Sequence, residues 1–117
     1  MRIVAGGGRP LVVLHGEIKS PPLSAEARQE AGRLLRRVQR GLEVAMPHSR
    51  PMPSIGERVH ELRINDRDAS WRIVYRVDTN AILIVEVFRK KTQQTPPLII
   101  AACKARLGTY DSGRTQG

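Results

Sequence analysis

The segment 59-VHELRINDRDASWRIVYRVDTNAILIVEVF-88 decides the fold. Apolar and polar side chains alternate through residues 59–64 and again through 71–77, and this period of two is typical of β-strands. Residues 81–88 are apolar on both faces, as expected of a strand that is covered on both sides. The polar segments 65–70 and 78–80 are short enough for turns. The segment therefore predicts three antiparallel strands, with 71–77 in the middle and 81–88 away from an exposed edge.

One more strand and two helices are predicted around this segment. Residues 11–18 favour a strand, because their apolar run is too short for a helix. Residues 24–40 carry apolar side chains at helical spacing and begin with a residue type that is typical of N-caps. A second helix is predicted at 96–107, with Thr95 as its N-cap and Gly108 at its end.

The remaining segments are predicted to be irregular. Residues 46–56 contain three prolines, which favours a connector without regular structure. Residues 1–10 and 111–117 are expected to be loose. A chain of 117 residues is long enough for one domain with a core of its own. The predicted class is α+β, with one antiparallel sheet and packed helices in a single domain over residues 1–117.

Positive charge is the strongest compositional signal. The chain has 20 Lys and Arg residues against 11 Asp and Glu, which gives a net charge of +9 and a pI of about 11.0. Such an excess indicates a polyanionic partner, a nucleic acid or the ribosome, because binding to phosphates releases counterions. An acidic protein partner and a merely solvated basic surface are the alternatives. Aromatic residues make up only 3%, which argues against a surface that stacks single-stranded bases.

Several classes of protein are disfavoured by the sequence. Cys103 is the only cysteine, so neither an intramolecular disulfide nor a cysteine-based metal site is expected, which fits a reducing cytoplasm. No apolar run approaches the length of about 18 residues that a membrane span needs. The first ten residues lack the long apolar core of a signal peptide. The expectation is a cytoplasmic protein that uses no cofactor.

Four short motifs resemble those of a known toxin family. They are MPHSRP at 46–51, HELR at 60–63, WRIVY at 71–75 and FRKKTQQTP at 88–96. In this order and spacing they resemble the phage-derived, HigB-like branch of the RelE toxin superfamily, whose pattern is roughly M-P-x-S-[KR]-P, E-L-R, [YW]-R-x-x-Y and F-x-K-K-T-x-x-T-P. The resemblance implies a microbial-RNase-like α+β sheet and a metal-independent endoribonuclease that cleaves messenger RNA on the ribosome and so inhibits translation. It also implies a cognate antitoxin, usually a helix-turn-helix protein of the HigA type.

The chemistry of RNA cleavage narrows the candidate residues. The 2′-hydroxyl must lose a proton, the pentacoordinate phosphate needs cations, and the leaving oxygen needs an acid. Arginine suits bidentate phosphate binding, and lysine can also move a proton if other cations or burial lower its pKa. Ordinary exposed strand arginines and protection of a strand end by lysines are the alternatives. The resemblance and this chemistry give Arg63, Arg72, Lys90 and Lys91 as candidate catalytic residues, and Arg76, Thr92 and Gln93 as candidate RNA-binding residues.

The sequence leaves the general acid open. Histidine is the usual proton shuttle. Glu61 could act as a base, but an ion-pair role is expected for it instead. In several RelE-type toxins a Tyr or His near the last helix contributes to catalysis, whereas here Tyr110 lies about three helical turns too far along. His15 is expected to be structural, and His60 is expected to pack against the sheet. His48 lies in the proline-rich connector, and its role is open.

Two other functions share the predicted architecture, because fold alone does not determine activity. One is a non-catalytic ribosome or RNA binder, or a decayed toxin that is retained for complex formation. The other is a gyrase-poisoning toxin of the same fold. A gyrase poison has no need of a phosphate clamp, so the cations at Arg63, Arg72 and Lys90–Lys91 favour the endoribonuclease.

Overall fold

The computed structural model describes residues 2–4, 8–14, 23–67, 69–91 and 94–116. The six strands that it describes form one sheet in the order β1-β2-β6-β5-β4-β3. Within these residues, no helix has both the length and the apolar character needed to cross a membrane. The elements in chain order are β1 (Arg2–Val4), β2 (Leu11–Val13), α1 (Ala25–Gln39), β3 (Ser49–Pro51), β4 (Val59–Asn65), β5 (Ser70–Val77), β6 (Ile82–Lys90) and α2 (Pro97–Gln116).

The two predicted hairpins form the middle of the sheet. Strand β5 pairs antiparallel with β4 on one side and with β6 on the other, as predicted. Strand β6 is also flanked by β2, so it does not lie at an edge. The pairing of β2 with β6 is parallel, and the prediction of an antiparallel sheet is therefore wrong at this point. The chain passes through α1 and three strands between β2 and β6, and so long a connection does not impose antiparallel pairing.

The helices pack on opposite faces of the sheet, and the core has two parts. Helix α1 contributes Ala27, Ala31, Leu34 and Val38 to a cluster that includes Leu62, Ile64 and Ile73. Helix α2 contributes Cys103 and Leu107 to a cluster that includes Val59, Val74, Leu83 and Val85. Because side chains alternate along a strand, neighbouring residues of β4 and β5 face different helices. We call the two sides of the sheet the α1 face and the α2 face.

Helix α1 has the caps that its sequence indicates. The Ser24 hydroxyl accepts a hydrogen bond from the Ala27 N–H at 3.1 Å, which confirms the predicted start. At the other end Gly41 has a φ of +79°, a conformation in which most other residues are strained. The N–H of Leu42 donates to the Arg37 carbonyl at 2.9 Å, and the N–H of Gly41 to that of Val38 at 3.0 Å. This pair of bonds is a Schellman motif, which ends the helix at the predicted place.

The predicted irregular connector contains a short strand. Strand β3 pairs with β4, with Ser49 opposite Leu62 and Pro51 opposite His60. The prediction of no regular structure in 46–56 is therefore wrong for these three residues. A strand is possible here because β3 lies at the edge of the described sheet. A proline is tolerated at a sheet edge, where its missing N–H costs no hydrogen bond.

The described residues near both ends of the chain are more ordered than predicted. Residues 1–10 were expected to be loose, yet Arg2–Val4 form β1 and the Arg9 guanidinium donates to the Val38 carbonyl at 2.9 Å. Helix α2 was expected to end at Gly108, yet it continues to Gln116. A glycine inside a helix costs about 1 kcal/mol relative to alanine. Contacts that the extra turns make with the sheet, described below, offset this cost.

A β-bulge interrupts β6. Val74 pairs with Glu86 while its neighbour Tyr75 pairs with Ile84, which leaves Val85 as an extra residue. Val85 packs in the core of the α2 face, and the Glu86 carboxylate binds Arg106 of α2 at 2.6 Å. Two successive residues of β6 therefore face the same helix, and the alternation of the strand changes phase at this point.

Candidate active site

A buried carboxylate lies at the centre of the candidate site. Glu61, in the middle of β4, has none of its surface exposed. Its Oε2 accepts a hydrogen bond from the Thr95 hydroxyl at 2.7 Å, and its Oε1 accepts one from Nε of Arg50 at 3.1 Å. Nζ of Lys90 and Nε of Arg72 each lie 3.4 Å from Oε1. We call these five residues the Glu61 cluster.

The cluster joins all four sequence motifs. Arg50 comes from the MPHSRP motif on β3, and Glu61 from the HELR motif on β4. Arg72 lies in the WRIVY motif on β5, while Lys90 and Thr95 belong to the FRKKTQQTP motif at the end of β6 and just before α2. Four adjacent strands and the approach to α2 thus place these side chains together on the α2 face.

Glu61 remains ionised despite its burial. Burial alone would raise the pKa of this carboxyl. The hydrogen bond from Thr95 and the charges of Lys90 and Arg50 together outweigh burial, so the pKa lies below its usual value. A buried charge is costly unless it is paired and hydrogen-bonded, and both conditions hold here. The carboxylate therefore acts as an internal counter-ion for the surrounding cations.

Lys90 has the properties of a group that can transfer a proton. Its side chain is only 3% exposed, and this burial is the main reason why its pKa is lowered. The Glu61 carboxylate opposes this shift, while the charges of Arg50 and Arg72 add to it. A lysine with a lowered pKa exchanges a proton closer to neutral pH than an exposed one.

Two arginines lie opposite each other across β4 and β5. Arg63 and Arg72 are direct partners in the strand register, on the α2 face. Arg72 is held by its own bonds to the Ser70 hydroxyl at 2.6 Å and the Trp71 carbonyl at 3.0 Å. Burial lowers the pKa of Arg72, and the charge of Arg63 lowers it further. Like charges directly opposite each other destabilise a sheet, so a bound anion would be stabilising here.

A family model matches most of the chain. The family described as phage derived protein Gp49-like (DUF891) matches residues 21–107. The chain belongs to the Gp49-like family. This is a toxin-like family of toxin–antitoxin systems, in agreement with the phage-derived toxin family predicted from the motifs. The matched residues contain all four motifs and the whole Glu61 cluster. No curated protein and no solved structure matches the chain.

The structure places the predicted site residues of this Gp49-like chain in different settings. Arg63, Arg72 and Lys90 lie around Glu61 or next to it, and Lys91 follows as an exposed residue at the end of β6. Thr92 and Gln93 lie outside the described residues.

Arg76 lies apart from the cluster of the Gp49-like chain. It is four residues further along β5 than Arg72, and its guanidinium binds Asp78 at 2.8 Å and Asp111 of α2 at 2.7 Å. The alternative of a solvated strand arginine is wrong for Arg76, because it is buried. The hydrogen bonds from Arg76 to Asp111 and Asp78 raise its pKa although burial opposes this. The Asp111 contact also explains why α2 continues past Gly108.

The sequence does not predict one member of the cluster, predicts another only in part, and predicts the wrong role for a third. Arg50 is not predicted as a site residue because its segment, 46–56, is predicted to be irregular, although it stands in a family motif. Glu61 was correctly expected to pair with cations, but its central position was not foreseen. The predicted N-cap role of Thr95 is wrong, because its hydroxyl donates to Glu61 and α2 begins at Pro97. The Pro96 carbonyl accepts the first helical bonds instead.

No histidine joins the cluster among the described residues. His60 stacks on Tyr75 with ring centroids 5.4 Å apart, which confirms its predicted packing, and burial lowers its pKa. His48 is exposed in the connector, where its carbonyl accepts the Arg63 N–H at 2.7 Å. His15 lies outside the described residues. In the described part of the chain, no three His, Cys, Asp or Glu side chains are grouped closely enough to hold a metal ion.

Proposed function

We propose that this Gp49-like protein is the toxin of a type II toxin–antitoxin system, a RelE/HigB-type endoribonuclease that cleaves messenger RNA on the ribosome. The observation that carries the proposal is the Glu61 cluster, in which four family motifs meet at one point. Together with Arg63, the cluster holds four cationic side chains against a single carboxylate. This excess of positive charge suits a bound phosphate.

The cations fit the needs of cleavage by the 2′-hydroxyl. In this reaction the 2′-oxygen attacks the adjacent phosphorus and the bond to the 5′-oxygen breaks, leaving a 2′,3′-cyclic phosphate and a 5′-hydroxyl. Arg63 and Arg72 bind the phosphate oxygens and stabilise their developing charge. Lys90 exchanges a proton with one of the two reacting oxygens. Lys91, which is exposed, adds a contact to a neighbouring phosphate, and Thr92 and Gln93 remain candidate RNA-binding residues.

Glu61 positions the cations and does not itself act as the base. Its carboxylate has no exposed surface, and both oxygens already accept hydrogen bonds within the protein. A general base must come within hydrogen-bond reach of the proton that it removes. Glu61 therefore acts through Arg50, Arg72 and Lys90, which it holds in place before RNA binds.

Dependence on the ribosome and control by an antitoxin complete the proposal. Among the described residues, no histidine or tyrosine belongs to the cluster, so a substrate held in a defined geometry is needed for efficient reaction. The net charge of +9 favours association with ribosomal RNA. The toxin-like family suggests an antitoxin partner, and we propose a HigA-type helix-turn-helix protein for this role.

A primer-extension assay on programmed ribosomes tests this proposal. Arg63 gives the cleanest variant, because it is only partly buried and has no carboxylate partner among the described residues. Arg63→Ala should lower the cleavage rate by about 10²–10³-fold, the usual effect of losing one oriented group that stabilises charge. Arg28→Ala, on the exposed side of α1, is the matched control and should cut at the wild-type rate.

A second pair of variants separates the cluster from a non-catalytic surface. Lys90→Gln and Lys91→Ala should slow cleavage, with the larger loss at the buried Lys90. Ribosome binding without any cleavage by the wild-type protein would favour the non-catalytic binder. Wild-type rates in all these variants would show that the site lies elsewhere, and His48 and His60 would be tested next.

A further inference from the structure

We propose that the C-terminal end of α1 and the cleft beside it bind an acidic, amphipathic helix of a partner protein. This surface lies on the α1 face, opposite the Glu61 cluster. We call it the α1 docking surface, and it comprises Arg36, Arg37, Arg40, Leu42, Met46 and the adjoining cleft. The inference rests on the partner part of the proposed function and not on the catalytic part.

A cleft with apolar walls opens at this end of α1. Its volume is about 390 Å³. On its floor the Tyr75 hydroxyl and the Ser49 hydroxyl share a hydrogen bond of 2.7 Å, so these polar groups satisfy each other. The cleft can therefore accept an apolar side chain without leaving those hydroxyls unpaired. The apolar part of the lining is formed by Val38, Leu42, Val44, Met46, Pro51 and Val77, and the polar side chains of Arg9, Glu43 and His60 also line the cleft.

Two large apolar side chains are exposed at the cleft. Leu42 is 49% exposed and Met46 is 60% exposed. Single exposed leucines are common on protein surfaces, but two beside one apolar cleft form a patch. Leu98 on α2 is more exposed still, at 83%, but it stands far along the chain and on the other face of the sheet.

The end of α1 explains why Leu42 is half exposed. In a Schellman motif, the second residue after the cap usually packs against an apolar residue three or four positions before the helix end. Leu42 occupies that position, and its N–H makes the expected bond to the Arg37 carbonyl. The positions that it would pack against are Arg36 and Arg37. The apolar side of the motif is thus left for a residue from another molecule.

The last turn and the C-cap of α1 carry arginines without carboxylate partners among the described residues, and the Arg36 guanidinium lies back along the helix beside Gly32. Arg33 pairs with Glu30 at 2.8 Å, whereas among the described residues no carboxylate pairs with the exposed Arg36, Arg37 or Arg40. Positive charge at the C-terminal end of a helix is stabilised by the helix dipole, but this effect explains only part of the clustering of three arginines here. Arg and Met are enriched at protein interfaces while Lys is depleted, and α1 carries no lysine.

The chemistry of the surface selects the form of the partner. RNA could bind the arginines, but it would leave Leu42, Met46 and the cleft without an apolar partner. A partner strand would have to pair with β3, which is three residues long and ends at Pro51. A helix with apolar residues on one side and carboxylates beside them can cover the apolar cleft and pair with the arginines at the same time.

Fluorescence anisotropy with a designed peptide tests the inference on the full chain. The probe is a labelled helical peptide with leucines at i, i+3, i+4 and i+7 and flanking glutamates, about 18 residues long because shorter helices are marginal in water. A peptide with lysines in place of the glutamates is the charge control. We expect the glutamate peptide to bind, more weakly as salt is added, and the lysine peptide not to bind.

Paired variants locate the binding site. Leu42→Ser with Met46→Ser should weaken binding by at least about tenfold at all salt concentrations, equal to about 1.4 kcal/mol. Arg36→Glu with Arg40→Glu should abolish the salt dependence. The matched controls on α2, Leu98→Ser and Lys104→Glu, should leave the affinity unchanged. All these side chains are exposed, so thermal melting should show intact folds.

Three results would overturn the inference. They are no binding of the glutamate peptide, equal binding of both peptides, or unchanged affinity in the Leu42 and Met46 variant. A labelled oligoribonucleotide serves as the competing probe. If it displaces the peptide and loses affinity when Arg36 and Arg40 are reversed, RNA is the occupant and the protein-partner inference is wrong. None of these measurements involves RNA cleavage, so they are independent of the proposed catalysis.

Discussion

The Thr95 hydroxyl donates a hydrogen bond of 2.7 Å to the buried Glu61 carboxylate. This bond joins a residue two positions before α2 to the middle of β4, 34 positions away along the chain. It therefore links the last helix directly to the centre of the candidate site. The bond lies in a buried setting, where an unpaired acceptor is costly.

Thr95→Val should destabilise the protein because it removes this donor and keeps nearly the same shape. We expect a loss of about 1–3 kcal/mol in the free energy of unfolding, the usual cost of an unsatisfied buried group. Urea unfolding followed by circular dichroism measures it. Thr95→Ser keeps the hydroxyl and should recover most of the stability. Thr109→Val is the control, since that hydroxyl is exposed and bonds only within α2. Equal stability of the Val and Ser variants at position 95 would contradict the prediction.

The stabilisation that Glu61 provides should depend on pH. Burial raises the pKa of Glu61, but Thr95, Lys90 and Arg50 lower it more, so the folded-state pKa lies below the usual 4.5. The unfolded chain then binds this proton more readily than the folded chain. The stabilisation is therefore present above about pH 4.5 and is lost as the pH falls through the folded-state pKa.

Comparison of the wild type with Glu61→Gln isolates this effect. The variant should be less stable at neutral pH by about 3–5 kcal/mol, because it leaves buried cations without their counter-ion. The difference should shrink at acid pH, and urea titrations at several pH values measure it. Glu57→Gln, at an exposed position, should show no such trend. A difference that does not vary with pH would mean that the Glu61 charge is not responsible.

Expression of the chain alone should arrest bacterial growth, as the proposed toxin function requires. Arg63→Ala should restore growth at the same protein level, because it removes one phosphate-binding cation without breaking an ion pair among the described residues. Co-expression of a cognate antitoxin should relieve the arrest by the wild type. Colony counts and immunoblots measure both effects. Normal growth with abundant, folded wild-type protein would favour a decayed toxin.

Asp111→Asn should shorten α2 and leave catalysis unchanged. The Asp111 carboxylate binds Arg76 at 2.7 Å, and it is about half exposed, so the loss should be moderate, about 1 kcal/mol. Hydrogen exchange should show faster opening of the helix after Gly108. The cleavage rate should not change, since Arg76 lies outside the Glu61 cluster. A large loss of cleavage with unchanged stability would instead assign an RNA-binding role to this part of the sheet.

Cys103 should be unreactive in the folded protein. Its side chain is fully buried in the core of the α2 face, and burial raises the pKa of the thiol to about 11. The thiolate is the reactive form, so very little of it is present at neutral pH. Modification by a thiol reagent should therefore follow the rate of unfolding, measured with and without urea. Rapid labelling without denaturant would contradict the described packing.

The parts of the fold that were predicted correctly are those with a local pattern. The two hairpins follow from the period-two alternation of β4 and β5 and from the continuous apolar run of β6, and the start of α1 follows from Ser24 and the apolar stripe. Strand β3 could not be predicted, because three residues beside prolines have no period. The extension of α2 depends on Asp111 and Arg76, which are 35 positions apart.

The candidate site was predictable as a set of cations but not as an arrangement. Motif spacing identified Arg63, Arg72 and Lys90. An ion-pair role could be expected for Glu61, but its position as the counter-ion that Arg72 and Lys90 share could not be inferred, since no local pattern marks it. The contact with Arg50 depends on the pairing of β3 with β4, which the sequence did not indicate.

The bulge at Val85 determines which residue of the FRKK segment faces Glu61. In an uninterrupted strand, residues 83, 85, 87 and 89 would share one face, and Arg89 would replace Lys90 at the carboxylate. The extra residue moves Lys90 into that position. A chain that lacks residue 85 and has no bulge would keep the same lysine beside the carboxylate. The deletion shifts the later residues by one position, and the loss of the bulge shifts their pairing by one position in the opposite sense. Insertions and deletions at this point therefore preserve the site only when the strand geometry changes with them. An alignment of motif letters alone does not reveal which side chain of the FRKK segment reaches the Glu61 carboxylate.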